Sequence, residues 1–180
     1  MKLMVCVDKV ANLYRIILLV QDYYSYCYQK DTTTTTTTIE LILIARTEAL
    51  RDKYQREANN FVNGLHIEEP SKHVVVIQSP KVITIEEAVT TIRLNQNNDT
   101  LKEAGVVVEV VAIDLNPNHA ISLEQYYATS SNTTTTTTNF LIWGFEKDGI
   151  PQTLLQSSQT FVQIPSRTSL NLVASMSIVL

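Results

Sequence analysis

The chain has 180 residues, 44% of them hydrophobic and 18% charged, the balance of a folded globular protein rather than a disordered one. Its net charge of −4 and pI of about 5.3 exclude a generally basic, nucleic-acid-coating surface, so any RNA contact has to come from a local patch or a partner. No apolar run reaches the roughly 18 residues of a membrane-spanning helix, and Asp8, Lys9, Asn12 and Arg15 interrupt the N-terminal apolar segment where a secretory signal would be continuous.

The length fits one domain over residues 1–180. "KLMVCV" (2–7) reads as a buried strand and "LYRIILLVQDYYSY" (13–26) as a helix. Residues 32–38 are threonines with nothing to bury, and are read as a solvated loop insertion that can extend into the next strand. "IELILIA" (39–45) is a second strand, followed by the polar helix "TEALRDKYQREANNF" (47–61). "HVVVIQ" (73–78) is a third strand. Thr84 is predicted to cap a helix over 84–96, with Glu86 and Glu87 in the first turn, where the helix dipole favours anions. "GVVVEVVAID" (105–114) is a fourth strand and "SLEQYY" (122–127) a short helix. A second threonine run at 133–138 is again read as a loop insertion, before a fifth strand, "NFLIWG" (139–144). "PQTLLQSS" (151–158) is a helix with proline in its first turn, "TFVQIP" (160–165) a sixth strand and "SLNLVASMSIVL" (169–180) a last helix. Apolar strands alternating with helices predict an α/β fold with a mostly parallel six-stranded sheet covered on both faces. Cys6 and Cys27 share no metal-ligand spacing with each other or with His66, His73 and His119, so they are read as reduced and structural and no metal site is expected. That points to an intracellular protein, with the cytoplasm as the expected compartment and the nucleus and mitochondrion left open.

In open α/β sheets ligands bind beyond the carboxyl ends of the strands, and two loops there are chemically loaded. "GFEKDGIP" follows the fifth strand and places two of the chain's 4 glycines around Glu146. "IPSRTSLN" follows the sixth and puts Ser169 and Asn171 at the start of the last helix. Glycine lets backbone approach a ligand closely, and loop N–H and C=O groups can read a base edge. Taken by themselves, the first loop is also an ordinary turn with an exposed glutamate and the second an ordinary N-cap. No GxGxxG or Walker loop is present.

Together the two loops resemble motifs two and three of the SPOUT superfamily, in its SpoU/TrmH branch of RNA ribose 2′-O-methyltransferases. Gly144, Glu146, Gly149, Ile150 and Pro151 match G-x-E-x-x-G-[IL]-P, and Ile164, Pro165, Ser169, Leu170, Asn171 and Leu172 match the third motif. The resemblance is strongest over residues 139–180. It implies a C-terminal trefoil knot, an exception to the general rule against knots. It also implies bound S-adenosyl-L-methionine, held around Gly144, Gly149, Ile164, Pro165 and Leu170, and a homodimer with its active site near the interface. Glu146, Ser169 and Asn171 would be polar active-site residues, fixing substrate and cofactor while a ribose 2′-hydroxyl loses its proton.

Motif one is partial. "VDKVANLYRIILLV" carries Asp8 and Asn12 in the manner of eukaryotic tRNA guanosine-18 2′-O-methyltransferases. It lacks the glycine, and Leu18 stands where the family has arginine. Arg15 is the nearby candidate for that role, and is equally read as a solvated helix residue. Arg46, Arg51, Lys53 and Arg56 are candidate phosphate contacts for RNA, or else one side of a mixed-charge helix face with Glu48, Asp52 and Glu57. The expected function is methyl transfer to a ribose 2′-hydroxyl in RNA, tRNA above all; the alternative is a catalytically degenerate domain of the same fold that binds RNA or a partner chain.

Overall fold

A computed structural model describes residues 1–30, 39–65, 80–113, 120–130, 137–166 and 170–180. The predicted third strand at 73–78, all three histidines and the threonines 32–38 and 133–136 lie outside them. β1 (Lys2–Cys6), β2 (Glu40–Ala45), β3 (Lys81–Thr84), β4 (Val107–Ile113), β5 (Ile121–Ser122), β6 (Thr137–Trp143) and β7 (Thr160–Gln163) form one sheet in the order β3-β2-β1-β6-β4-β7-β5. All its pairings are parallel. The helices are α1 (Val10–Lys30), α2 (Glu48–Gly64), α3 (Ile85–Gln96), α4 (Asp99–Glu103), α5 (Leu123–Ser130), α6 (Gln152–Leu155) and α7 (Leu172–Val179).

The strands are apolar throughout because both faces are covered. Leu3, Val5, Leu41, Leu43, Val111, Leu141 and Trp143 point to one side, against Leu13, Ile16 and Ile17 of α1, Tyr54 of α2, Tyr126 of α5 and Met176 of α7. Their sequence neighbours Met4, Cys6, Ile42, Ile44, Val110, Phe140 and Ile142 point to the other, against Ile92 of α3 and Leu154 of α6. The period of two along each strand therefore divides one sheet between two cores.

Among the described residues the sheet has seven strands, where six were expected over the whole chain, one of them at 73–78 outside those residues. β5 has two residues, too few to leave a periodic signal, and it occupies the sheet edge beside β7. β3 is a four-residue strand directly before the Thr84 cap, where the helix signal hides it. α4 was also not foreseen; Asn98 caps it by accepting from the Leu101 N–H at 3.3 Å. The second threonine run is not all loop, since β6 begins at Thr137 and pairs Thr137 and Thr138 with Val107 and Val108. The predicted cap at Thr84 is present as a reciprocal capping box with Glu87. Among the described residues no helix is long and apolar enough to cross a membrane.

Candidate cofactor cleft

The carboxyl ends of β4, β6 and β7 open into a cleft of about 230 Å³, lined by Ile113, Trp143, residues 144–147, Gly149, Ile150, Ile164, Ser166, Leu170, Leu172 and Ser175. Five of the expected site residues meet there: Gly144, Glu146, Gly149, Ile164 and Leu170. Ile113 and Trp143 are the last residues of neighbouring strands, paired in register, so the sheet itself fixes the floor.

The loop after β6 is a closed turn. The Phe145 N–H donates to the Gly149 carbonyl at 2.8 Å, and the Gly149 N–H donates back to Phe145 at 3.0 Å. Gly149 adopts φ 67°, in the left-handed region. A Cβ on Gly144 would lie 2.2 Å from the Gly149 carbonyl carbon and 2.3 Å from the Ile150 nitrogen. The sequence suggested that glycine here admits a ligand; the close approach that requires Gly144 is that of the loop's own backbone.

Side chains from three strand ends surround this turn. Glu146 receives the Lys9 ammonium at 3.4 Å, and its backbone N–H donates to Asp8 Oδ2 at 3.1 Å. Asp8 Oδ1 accepts from Arg46 Nε at 2.9 Å, while Arg46 Nη2 reaches Asp148 Oδ2 at 2.5 Å. The guanidinium lies 3.8 Å from the Phe145 ring centroid, in cation–π contact. The Tyr54 hydroxyl donates to the Asp8 carbonyl at 2.8 Å. The hydrogen bond to Asp8, aided by Asp148, holds Arg46 protonated more firmly than a free guanidinium. Burial pushes the Cys6 thiol, two residues before Asp8, far up, so no thiolate is available there.

The other expected residues are distributed differently. Asn171 is the N-cap of α7, its Oδ1 accepting from the Ala174 N–H at 2.9 Å. Ser169 lies outside the described residues, and Pro165 is exposed beside the cleft without lining it. Arg15 is exposed on α1 and is absent from the lining. Asn12 is buried, and its Nδ2 has no hydrogen-bond partner among the described residues. Of the four candidate RNA contacts, Arg46 is engaged as described and Arg51 pairs with Asp52 at 3.0 Å and Glu87 at 3.2 Å. Lys53 and Arg56, three apart on α2, are exposed and have no ion pair among the described residues. Sequence reasoning passed over Lys9 and Ser175 and gave Asp8 no contact. The only available signal was that β1 and β6 end on the same side of a parallel sheet.

No family model and no curated protein matches the chain. Solved structures do. The chain is similar to an rRNA methyltransferase from Sinorhizobium meliloti, with TM-score 0.58 and 19% identity over 99% of this chain and 52% of that one. It is similar to the SpoU methyltransferase AviRb from Streptomyces viridochromogenes in complex with the cofactor AdoMet, with TM-score 0.55 and 13% identity over 99% of this chain and 54% of that one. A third structure, concerned with 2-OH methylation of C/U34 on tRNA, gives TM-score 0.50 and 14% identity over 99% of this chain and 90% of that one. The chain spans about half the length of the first two. At such identities the likeness is one of architecture: this chain has the fold of the SpoU methyltransferases.

Proposed function

We propose that the chain is an S-adenosylmethionine-dependent methyltransferase acting on a ribose 2′-hydroxyl of tRNA, with guanosine 18 as the first position to test. The observation that carries this reading is the meeting of Gly144, Glu146 and Gly149 with Ile164 and Leu170 around one cleft at the carboxyl ends of the strands. Apolar Ile113, Trp143, Ile164 and Leu172, two serine hydroxyls and a run of loop backbone line it, a mixture suited to a nucleoside with an apolar arm. Trp143, which lines the cleft, has a buried indole N–H with no hydrogen-bond partner among the described residues, a donor that a bound acceptor would satisfy. The residues present therefore fit the cofactor, which when bound supplies a methyl group on a sulfonium centre. Glu146, held by Lys9 and by its own N–H to Asp8, would accept a hydrogen bond from the acceptor hydroxyl and orient it for loss of its proton. Asn171 would act through α7, fixing the turn that presents Leu172 and Ser175 to the cleft.

The same reading includes a knot and a dimer. β7 inserted between the earlier strands β4 and β5, with α7 returning to pack on α1, supports the knot. Exposed Leu18 and Ile178 on those two packed helices support self-association. The buried, unpaired Cys6 agrees with a reducing compartment such as the cytoplasm. Lys53 and Arg56 are the cations left for RNA phosphates.

Methyl transfer from labelled S-adenosylmethionine to bulk tRNA tests the assignment. Glu146→Ala is expected to lower the rate at least about 100-fold; an unchanged rate overturns the role given to Glu146. Arg15, exposed and outside the cleft, favours a second reading as a cofactor-free RNA-binding domain. Calorimetric titration separates the two, since absence of cofactor binding supports only the second.

A further inference from the structure

Arg46 was expected among the RNA contacts, yet its guanidinium is already committed on three sides. Arg46 follows directly on β2 and joins residues from the ends of β1 and β6, the next two strands across the sheet. Its Nε binds Asp8 Oδ1, Nη2 binds Asp148 Oδ2, and the plane lies on the Phe145 ring. Asp8 uses its second oxygen for the Glu146 N–H. Neither Arg46 nor Asp8 lines the cleft, whereas Gly144, Phe145, Glu146, Lys147, Gly149 and Ile150 all do.

We propose that Arg46 and Asp8 form a latch that sets the position of the 144–150 wall, making both of them positioning residues for whatever the cleft binds. The turn's own bridge fixes its shape and the buried Phe145 and Ile150 anchor its base, so the freedom left to it is that of its exposed tip, residues 146–148. The latch removes that freedom through one backbone bond, at Glu146, and one side-chain bond, at Asp148. Arginine suits the place because a planar guanidinium stacks on Phe145 while donating in two directions, which an ammonium cannot do.

The inference rests on the cofactor reading for its functional readout, and has an independent one in amide exchange. With S-adenosylmethionine as the probe, Arg46→Ala and Asp148→Asn are expected to weaken calorimetric binding about tenfold and twofold to threefold respectively. Arg46→Lys should fall between Arg46→Ala and the parent chain. In all three variants the Glu146 and Gly149 amides should exchange faster than in the parent, while the β1 and β2 amides stay protected. The rise should appear in KM for the cofactor more than in kcat, because chemistry at Glu146 is untouched once the wall is seated. Wild-type cofactor affinity together with unchanged exchange at Glu146 and Gly149 in Arg46→Ala overturns the latch. So does a loss of tRNA affinity, with the salt slope reduced by about one, at unchanged cofactor affinity, because Arg46 is then a phosphate contact. If the parent chain binds no S-adenosylmethionine the proposed activity fails, and the latch is judged on amide exchange alone.

Discussion

Gly144 and Gly149 stand five apart in sequence but are glycines for different reasons, and substitution separates them. Gly149 needs a left-handed φ, which another L-residue adopts at a cost of about 1–2 kcal/mol. Gly144 needs empty space: a methyl group there meets backbone at 2.2 Å, and backbone does not yield as a side chain end would. Gly144→Ala is therefore expected to destabilise the chain by about 3 kcal/mol or more, and Gly149→Ala by clearly less, in denaturant titrations read by the midpoint. Equal losses would mean that the turn relaxes away from Gly144. Asn171 has a similarly legible structural role. Asn171→Ala should cost about 1 kcal/mol through the lost cap, and Asn171→Ser should restore most of it. If Asn171→Ser regains stability without regaining methyl transfer, Asn171 acts chemically as well as structurally.

Among the elements, α3 was the most fully readable from sequence, because its signals are local. Thr84, Glu86 and Glu87 lie within four residues of each other, and the capping box needs no partner from elsewhere. The hydrogen bond from the Thr84 backbone, with Arg51 nearby, holds the Glu87 carboxyl below the usual carboxylate range. A carboxyl lowered in the folded state stabilises above its unfolded pKa and loses that contribution as pH falls through the folded value. Glu87→Gln is thus expected to lower Tm more at pH 7 than near pH 3, as thermal melts in the two buffers would record. An equal deficit at both pH values would assign the effect to shape rather than charge. β3 and β5 escaped the same kind of reading. A strand of four or two residues has no period of its own, and each exists because a longer neighbour offers it a ladder. The Asp8–Arg46–Asp148 cluster was unreadable for a related reason: its members are separated by 38 and 102 positions, and only the strand order brings them together.

At the level of the whole molecule, the two-sided core was evident from the unbroken apolar strands, but which helices share a face was not. The structure puts α1 and α7 side by side on one layer, although some 160 residues of chain separate their starts. Leu18 on α1 and Ile178 on α7 remain 41% and 48% exposed, two large aliphatic groups on packed helices of a chain with net charge −4. A two-fold interface would place each patch against its own copy, so a charge introduced there meets a like charge across the axis. Leu18→Asp with Ile178→Asp is accordingly expected to convert a sedimenting dimer to a monomer. Both side chains are half in water already, so melting of the monomer should change little. The parent's Tm should rise with protein concentration, as it must when association stabilises the folded state, and the double variant's should not. A parent chain that sediments as a monomer at tens of micromolar, with Tm independent of concentration, would leave this pair as ordinary surface aliphatics and would place the cleft within a single chain.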